Sequence, residues 1–292
     1  MRLHIEYRLP SLAPRHRPFL ACWLLVVALF AGACATAPRG FVRGPQGLLH
    51  VDDGGHGSAV PLLFVHGNGA NLEQWRAVLE HERLTRRAVA FDLRGMGKSA
   101  VPANGDYSVA AMAADVEAVA KALGLKRFVL IGHSYGSHVV AEYAARHPER
   151  VAAAVHVDGG ANVRMPDEAA AKFAAAVRKN KDGVAAQWFA PILKDAQPST
   201  RQTVLASVHD TNTEAFIGAL DGTRRVDLGP LLDAYHGPRL AIVAKPIEGP
   251  NSLHVQYKQV PARAIDGVSH WIMLDKPAEF EAVLDAFLAE VR

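Results

Sequence analysis

Between residues 40 and 160 the chain alternates short aliphatic and β-branched runs with longer segments whose apolar positions recur at helical spacing. The runs are PLLFVHG, RRAVAFDLRG, RFVLIGHS and VAAAVHVDGG, and the helical segments between them are NLEQWRAVLEHERL, VAAMAADVEAVAKALG and YGSHVVAEYAARHP. Such alternation predicts an α/β fold, a mostly parallel sheet with helices on both faces. In such sheets reactive groups gather beyond the carboxyl ends of the strands. Residues 161–236 follow another pattern: DEAAAKFAAAVRKN, GVAAQWFAPILK, STRQTVLASVHD and EAFIGALDG are alanine-rich and helical, with no strand between them. They are expected to form a helical cap inserted into the core. Strand-like runs return in PRLAIVAKP and PARAIDGVSH, and AEFEAVLDAFLAEV reads as a closing amphipathic helix. The core is thus expected over 38–160 and 237–292. GGHGSAV and PRGFVRGPQG read as turn or linker sequence, and no internal repeat is present.

Residues 19–37, FLACWLLVVALFAGACATA, are uncharged and apolar, follow an arginine-containing segment and end in small residues. This is the layout of an export signal, so residues 1–37 are expected to be a signal peptide or lipoprotein leader. The ending FAGAC resembles a bacterial lipoprotein signal, with Cys34 as the lipidated first residue, although Ala31 stands where leucine is commonest. A soluble secreted or periplasmic product and an uncleaved anchor are the alternatives. The expected location is the bacterial cell envelope, with possible membrane attachment through the leader or Cys34. Both cysteines, Cys22 and Cys34, lie in the leader. The remaining domain therefore has no cysteine with which to build a disulfide or a thiolate metal site.

Composition narrows the function. The 292 residues, 50% hydrophobic and 21% charged, are enough to bury a sizeable core. The net charge of +3 is carried by Arg2, Arg8, Arg15 and Arg17 against Glu6, and the rest of the chain is formally neutral. Nucleic acid, which demands many cationic contacts to phosphate, is not an expected partner.

Gly132, His133, Ser134, Tyr135 and Gly136 fit G-x-S-x-G, a sharp strand-to-helix turn that exposes a nucleophilic serine at a helix N-terminus. RFVLI before it and HVVAEYAARH after it supply the two elements the turn requires. A serine hydroxyl needs a base to take its proton, and the base needs a carboxylate to orient it. Of fourteen histidines, His270 follows a strand-like run and precedes the last helix, where a loop at the carboxyl edge of the sheet would return it to Ser134. His50, His56, His81, His147 and His236 lie in loop-like or helix-end contexts that suit surface or capping roles.

The segments FVHGNGAN, FDLRGMGKS, GHSYGS and GVSHWIMLDKPAEF, in this order and spacing, make the chain resemble the α/β-hydrolase family over nearly all of residues 40–292. The resemblance is to its serine esterases and lipases with an inserted cap. It implies an oxyanion hole formed by the backbone N–H groups of Asn68 and Tyr135, with His66 pinning the first loop. It also implies that Asp92, Arg94 and Ser99 are turn and packing residues. Most relatives carry an acidic residue after the strand corresponding to RLAIVA in a G-x-x-D stretch, but this chain continues KPIEGPNSLH and has no aspartate there. The candidate acids are therefore Asp158, at the end of the preceding strand, where haloalkane dehalogenases and some lipases place theirs, and Glu248 in the KPIEGP loop. Either preserves the order Ser, acid, His.

The resemblance implies a serine hydrolase that cleaves a carboxylic ester, thioester, lactone or amide of a small-molecule acyl substrate through an acyl-enzyme on Ser134. No metal or organic cofactor is required by this chemistry. Acyl transfer on the same triad and a non-catalytic binding protein of the same fold are the alternatives. In the cap, Phe173, Trp188, Phe189, Ile192, Leu193 and Phe216 are candidates either for an apolar acyl pocket or for helix packing, and Trp271 neighbours His270.

Overall fold

The computed structural model describes residues 37–162, 164–245 and 249–292. The leader expected over 1–37, Cys34 included, lies outside them but for Ala37, and so does Glu248. Eight strands form one sheet: β1 (Phe41–Gly44), β2 (Gly47–Gly54), β3 (Leu62–Val65), β4 (Ala88–Phe91), β5 (Phe128–His133), β6 (Val151–Val157), β7 (Arg239–Ala244) and β8 (Ala262–Ile265), in the spatial order β1-β2-β4-β3-β5-β6-β7-β8. From β4 to the β8 edge every pairing is parallel, and β1 and β2 run antiparallel at the other edge.

Strands β3, β4, β5 and β6 are buried along their whole length, and successive side chains serve opposite faces. Leu62, Phe64, Val129 and Ile131 join one apolar cluster, whereas Leu63, Val65, Phe128 and Leu130 join another. The first face is covered by α1 (Arg76–Glu82) and α11 (Pro277–Leu288), through Val78, Leu79, Phe280 and Leu284. The second is covered by α2 (Val109–Ala122) and α3 (Tyr135–Arg146), through Met112, Val116, Val139 and Tyr143. Helix α2 begins where Ser108 Oγ accepts the Ala111 N–H at 3.2 Å, satisfying one of the free donors of its first turn.

PRGFVRGPQG is not simply linker. Its FVRG forms β1, because Val42 meets Leu49 in a hairpin and both are buried, while Arg43 faces out. Four residues between glycines and prolines carry a weak local strand signal, and the pairing with β2 creates the strand.

Between β6 and β7 the described residues form α4 (Asp167–Lys179), α5 (Lys181–Phe189), α6 (Pro198–Asp210), α7 (Thr213–Arg224) and α8 (Leu228–Ala234). Leu228 and Leu232 of α8 are buried with Ala141 of α3 and with Ala241 and Val243 of β7, so this last helix packs on the sheet layer. Val177, Phe189, Val208 and Phe216, from α4 to α7, continue the apolar cluster of the α1 and α11 face. Two short helices, α9 (Leu253–Gln256) and α10 (Ile272–Asp275), complete the set.

The loop after β3 is fixed from below by Asp92. Its Oδ1 accepts the Leu72 N–H at 2.7 Å, and its Oδ2 accepts the Lys98 N–H and a proton from His50 Nδ1, both at 2.8 Å. Burial alone would raise this carboxyl, but the bond to His50 and the two amides outweigh it and hold it below the usual carboxylate range. Arg94, from the same FDLRGMGKS segment, grips Asp115 through two bonds of 2.6 and 2.7 Å, and Ser99 Oγ donates to the Asp92 carbonyl.

Asp92→Ala strands two backbone donors and is expected to destabilise the fold by about 3 kcal/mol at pH 7 in urea unfolding. Because the folded pKa is depressed, the carboxylate's contribution is complete above the unfolded value of about 3.9 and is lost as the pH falls through the folded value. The gap between wild type and variant therefore narrows below that pH.

Candidate functional site

Strands β3, β5, β6, β7 and β8 are consecutive neighbours in the sheet, and the loops leaving their carboxyl ends carry Asn68, Ser134, Asp158 and His270. Ser134 stands between β5 and α3 at φ 53 and ψ −115, a left-handed conformation that non-glycine residues seldom adopt. Its N–H donates to the Val157 carbonyl at 2.9 Å, tying the turn to β6. The flanking glycines are steric necessities. A Cβ on Gly132 would lie 2.3 Å from the Gly136 carbonyl oxygen, and one on Gly136 would lie 2.6 Å from the Val65 carbonyl oxygen of β3.

Asp158 follows β6 directly and is, among the described residues, the second non-glycine residue at positive φ, 45°. Aspartate tolerates this region better than most residues. Its N–H donates to the Ile242 carbonyl at 2.7 Å, and its Oδ1 accepts the Ala244 N–H at 2.9 Å, so the side chain is held by β7. The free oxygen, Oδ2, accepts from His270 Nδ1 at 2.6 Å, and both side chains are only 12% exposed. The order of donor and acceptor leaves His270 Nε2 as the unprotonated nitrogen when the ring is neutral.

His270 is fixed on three sides. Its N–H donates to the Ile192 carbonyl at 3.1 Å, and its own carbonyl accepts from His133 Nε2 at 3.0 Å. Next to it, the buried Ser269 gives both its N–H and its hydroxyl to Asp275 Oδ2. Burial and the neighbouring His270 hold His133 well below the ordinary histidine pKa, so its ring stays neutral and acts as a donor at Nε2 only.

The loop after β3 is pinned by His66, which is fully buried. Its Nε2 accepts the Leu93 N–H at 2.9 Å, so Nδ1 carries the proton and donates to the Gly67 carbonyl at 2.8 Å. Both nitrogens are engaged, and burial pushes the ring toward the neutral form. Asn68 follows, and its Nδ2 donates to the Phe216 carbonyl of α7 at 3.0 Å. Tyr135, the first residue of α3, has no intrahelical acceptor for its N–H, which leaves that donor free for a ligand.

Gly67, Asn68, Ser134, Tyr135, Asp158's partner His270, and Trp271 meet Trp188, Phe189, Ile192, Leu220 and Thr223 around one cavity of about 180 Å³. Of the apolar candidates between β6 and β7, Trp188, Phe189 and Ile192 line it. Phe216 and Leu193 are buried in the packing beneath, and Phe173 stacks edge-on against Trp188. Leu220, Thr223, Gly160 and His138 also line the cavity and were not legible as site residues, because helical spacing alone does not reveal which face of a helix meets the strand ends. Asp266 is exposed and accepts the Gly267 N–H. Among the described residues, the group of histidine and carboxylate atoms close enough to hold a metal is His81, Glu82 and Asp285, and none of these lines the cavity.

A serine at a strained turn, an imidazole oriented by a carboxylate, one loop amide and one helix N-terminal amide around one cavity can activate a hydroxyl and receive the charge of a tetrahedral carbonyl adduct. The chain belongs to the alpha/beta hydrolase fold family. The profile of the alpha/beta hydrolase fold family matches residues 60–214. Human Protein ABHD8 is 35% identical over 127 residues, 40% of this chain and 29% of that protein. A 2-hydroxymuconate semialdehyde hydrolase from Pseudomonas sp. is 34% identical over 113 residues, 38% of this chain and 40% of that one. The chain thus matches less than half the length of either curated relative. Among solved structures, a thermophilic esterase from Thermogutta terrifontis superposes with a TM-score of 0.77 at 24% identity, covering 87% of this chain and 99% of that one. The enol-lactonase from Burkholderia xenovorans gives 0.76 at 20% identity, covering 86% and 100%. At these identities the likeness is one of fold.

Gly132→Ala is expected to destabilise the protein by about 2 kcal/mol or more, since the clash is with backbone that has no room to yield. A thermal melt of the variant against wild type measures it.

Proposed function

We propose that this protein is a serine hydrolase of the carboxylesterase kind, cleaving a carboxylic ester or a related thioester, lactone or amide through an acyl-enzyme on Ser134. The observation that carries the reading is the 2.6 Å bond from His270 Nδ1 to Asp158 Oδ2 beside a cavity lined by both Ser134 and His270. His270 Nε2 takes the Ser134 proton as Oγ attacks the carbonyl carbon. The Asn68 and Tyr135 N–H groups receive the charge that develops on the carbonyl oxygen. His270 then gives its proton to the leaving group, and water activated by the same nitrogen releases the acyl group. Asp158 stabilises the imidazolium and fixes its tautomer, and Glu248 has no part in the reaction. The family membership and the esterase and lactonase folds among its structural neighbours favour acyl chemistry.

A fluorophosphonate is expected to modify Ser134 in the folded protein, with Ser134→Ala as the unlabelled control read by mass spectrometry. Absence of labelling in wild type would remove the nucleophile from the proposal. On a nitrophenyl ester, Asp158→Asn is expected to lower kcat by about three orders of magnitude or more, whereas Glu248→Gln stays close to wild type. The reverse ranking would transfer the acid to Glu248.

The leader belongs to the same proposal. Residues 1–37 direct export to the cell envelope, and lipid on Cys34 anchors the enzyme at the membrane. Metabolic labelling with a fatty-acid probe should then tag the wild-type chain in a bacterial host and fail to tag Cys34→Ser.

A further inference from the structure

One polar side chain of the cavity wall has neither a part in the proposed reaction nor a hydrogen-bond partner. His138 lies four residues beyond Ser134 on α3, is 2% exposed and lines the cavity. Neither of its ring nitrogens has a hydrogen bond. The Ser134 and Ala161 backbones lie close enough to act on the ring, favouring its protonated form, but neither completes a hydrogen bond with it. Burial lowers the ring's pKa to about 4, so it is neutral at physiological pH and offers one donor and one acceptor. A buried polar group without a partner is unfavourable by roughly 1–3 kcal/mol, and native structures seldom tolerate one unless a ligand or water completes it.

The position is informative. Helical side chains lean toward the N-terminus of their helix, so the His138 ring leans back toward Ser134. Residues four apart have Cβ atoms about 5–6 Å from each other. A hydroxyl roughly three bonds beyond an acyl carbon held at Ser134 spans such a distance. Much of the remaining wall is apolar, with Trp188, Phe189, Ile192, Leu220 and Trp271, and the Thr223 hydroxyl already donates to the Leu220 carbonyl. The cavity of about 180 Å³ lies below the range typical of drug-sized ligands, which suits a short acyl group.

We propose that His138 is a specificity-determining residue that binds a hydroxyl on the substrate, and that the preferred substrates are esters or lactones of short hydroxy acids with the hydroxyl near the β carbon. This rests on the acyl-enzyme reading above. A hydroxyl can donate to one imidazole tautomer and accept from the other, so it satisfies the ring in either state.

The test compares 4-nitrophenyl 3-hydroxybutyrate with 4-nitrophenyl butyrate. Wild type is expected to favour the hydroxy ester by about tenfold or more in kcat/KM. His138→Leu should bring that ratio to one or below, and His138→Gln, which keeps a donor and an acceptor, should restore part of it. Calorimetry on Ser134→Ala, with 3-hydroxybutyramide against butyramide, reads the same preference without turnover. Equal ratios in wild type and His138→Leu, or equal binding of the two amides, would overturn the proposal, including the case in which the ring is served by water alone. Discrimination between the amides in a protein that turns over neither ester would support the His138 subsite while the acyl-enzyme reading fell. The wild-type ratio and the amide binding need no His138 variant, so misfolding of such a variant leaves the proposal open to refutation.

Discussion

The start of α3 is packed tightly against the ends of both β3 and β5. The Gly136 Cα stands where any Cβ would meet the Val65 and His66 carbonyl oxygens at 2.6 and 2.9 Å, and Gly132 faces the Gly136 carbonyl more tightly still. This contact leaves the chain one way to turn, with Ser134 in a left-handed conformation at its apex. Backbone strain of this kind is worth a few kcal/mol and persists only when the surroundings over-determine it. Here the surroundings are the parallel ladders on both sides of β5 and the Ser134 N–H bond to β6. The same proximity sets the β3 loop, with Asn68, against the free N-terminal amide of α3, so nucleophile and proposed oxyanion donors are positioned by one packing constraint.

A second theme is the neutral histidine. His66, His133, His138 and His156 are all buried, and burial lowers the pKa of each. Uncharged, they serve as shaped polar units: His66 spans a loop and a strand end, and His133 holds the His270 carbonyl. A lysine or arginine in any of these places would bring a charge into a region of low dielectric beside the proposed reaction centre. The proposed base is surrounded by rings that do not compete with it for protons.

The strand and helix alternation, the elbow and the histidine before the last helix were legible because each rests on a local pattern: buried runs, G-x-S-x-G between them, and a loop at a strand end. The acid was not. Asp158 and Glu248 both follow strands in an acceptable order, and only the register between β6 and β7 gives Asp158 Oδ1 the Ala244 amide while turning Oδ2 to His270. The β1 strand escaped because FVRG becomes a strand through pairing with residues just downstream. His138 escaped for a related reason: a histidine on an amphipathic helix reads as surface until the packing of α7 and the β6 loop closes over it.

Two of the bonds described above run from the site to its roof. Asn68 Nδ2 donates to the Phe216 carbonyl, and the His270 N–H donates to the Ile192 carbonyl. The helical segment over the cavity is thereby latched to the loop of the proposed oxyanion donor and to the loop of the proposed base. Lifting that segment to admit a bulky molecule would break both bonds together, so wide opening of the cavity and bracing of the two loops from above oppose each other.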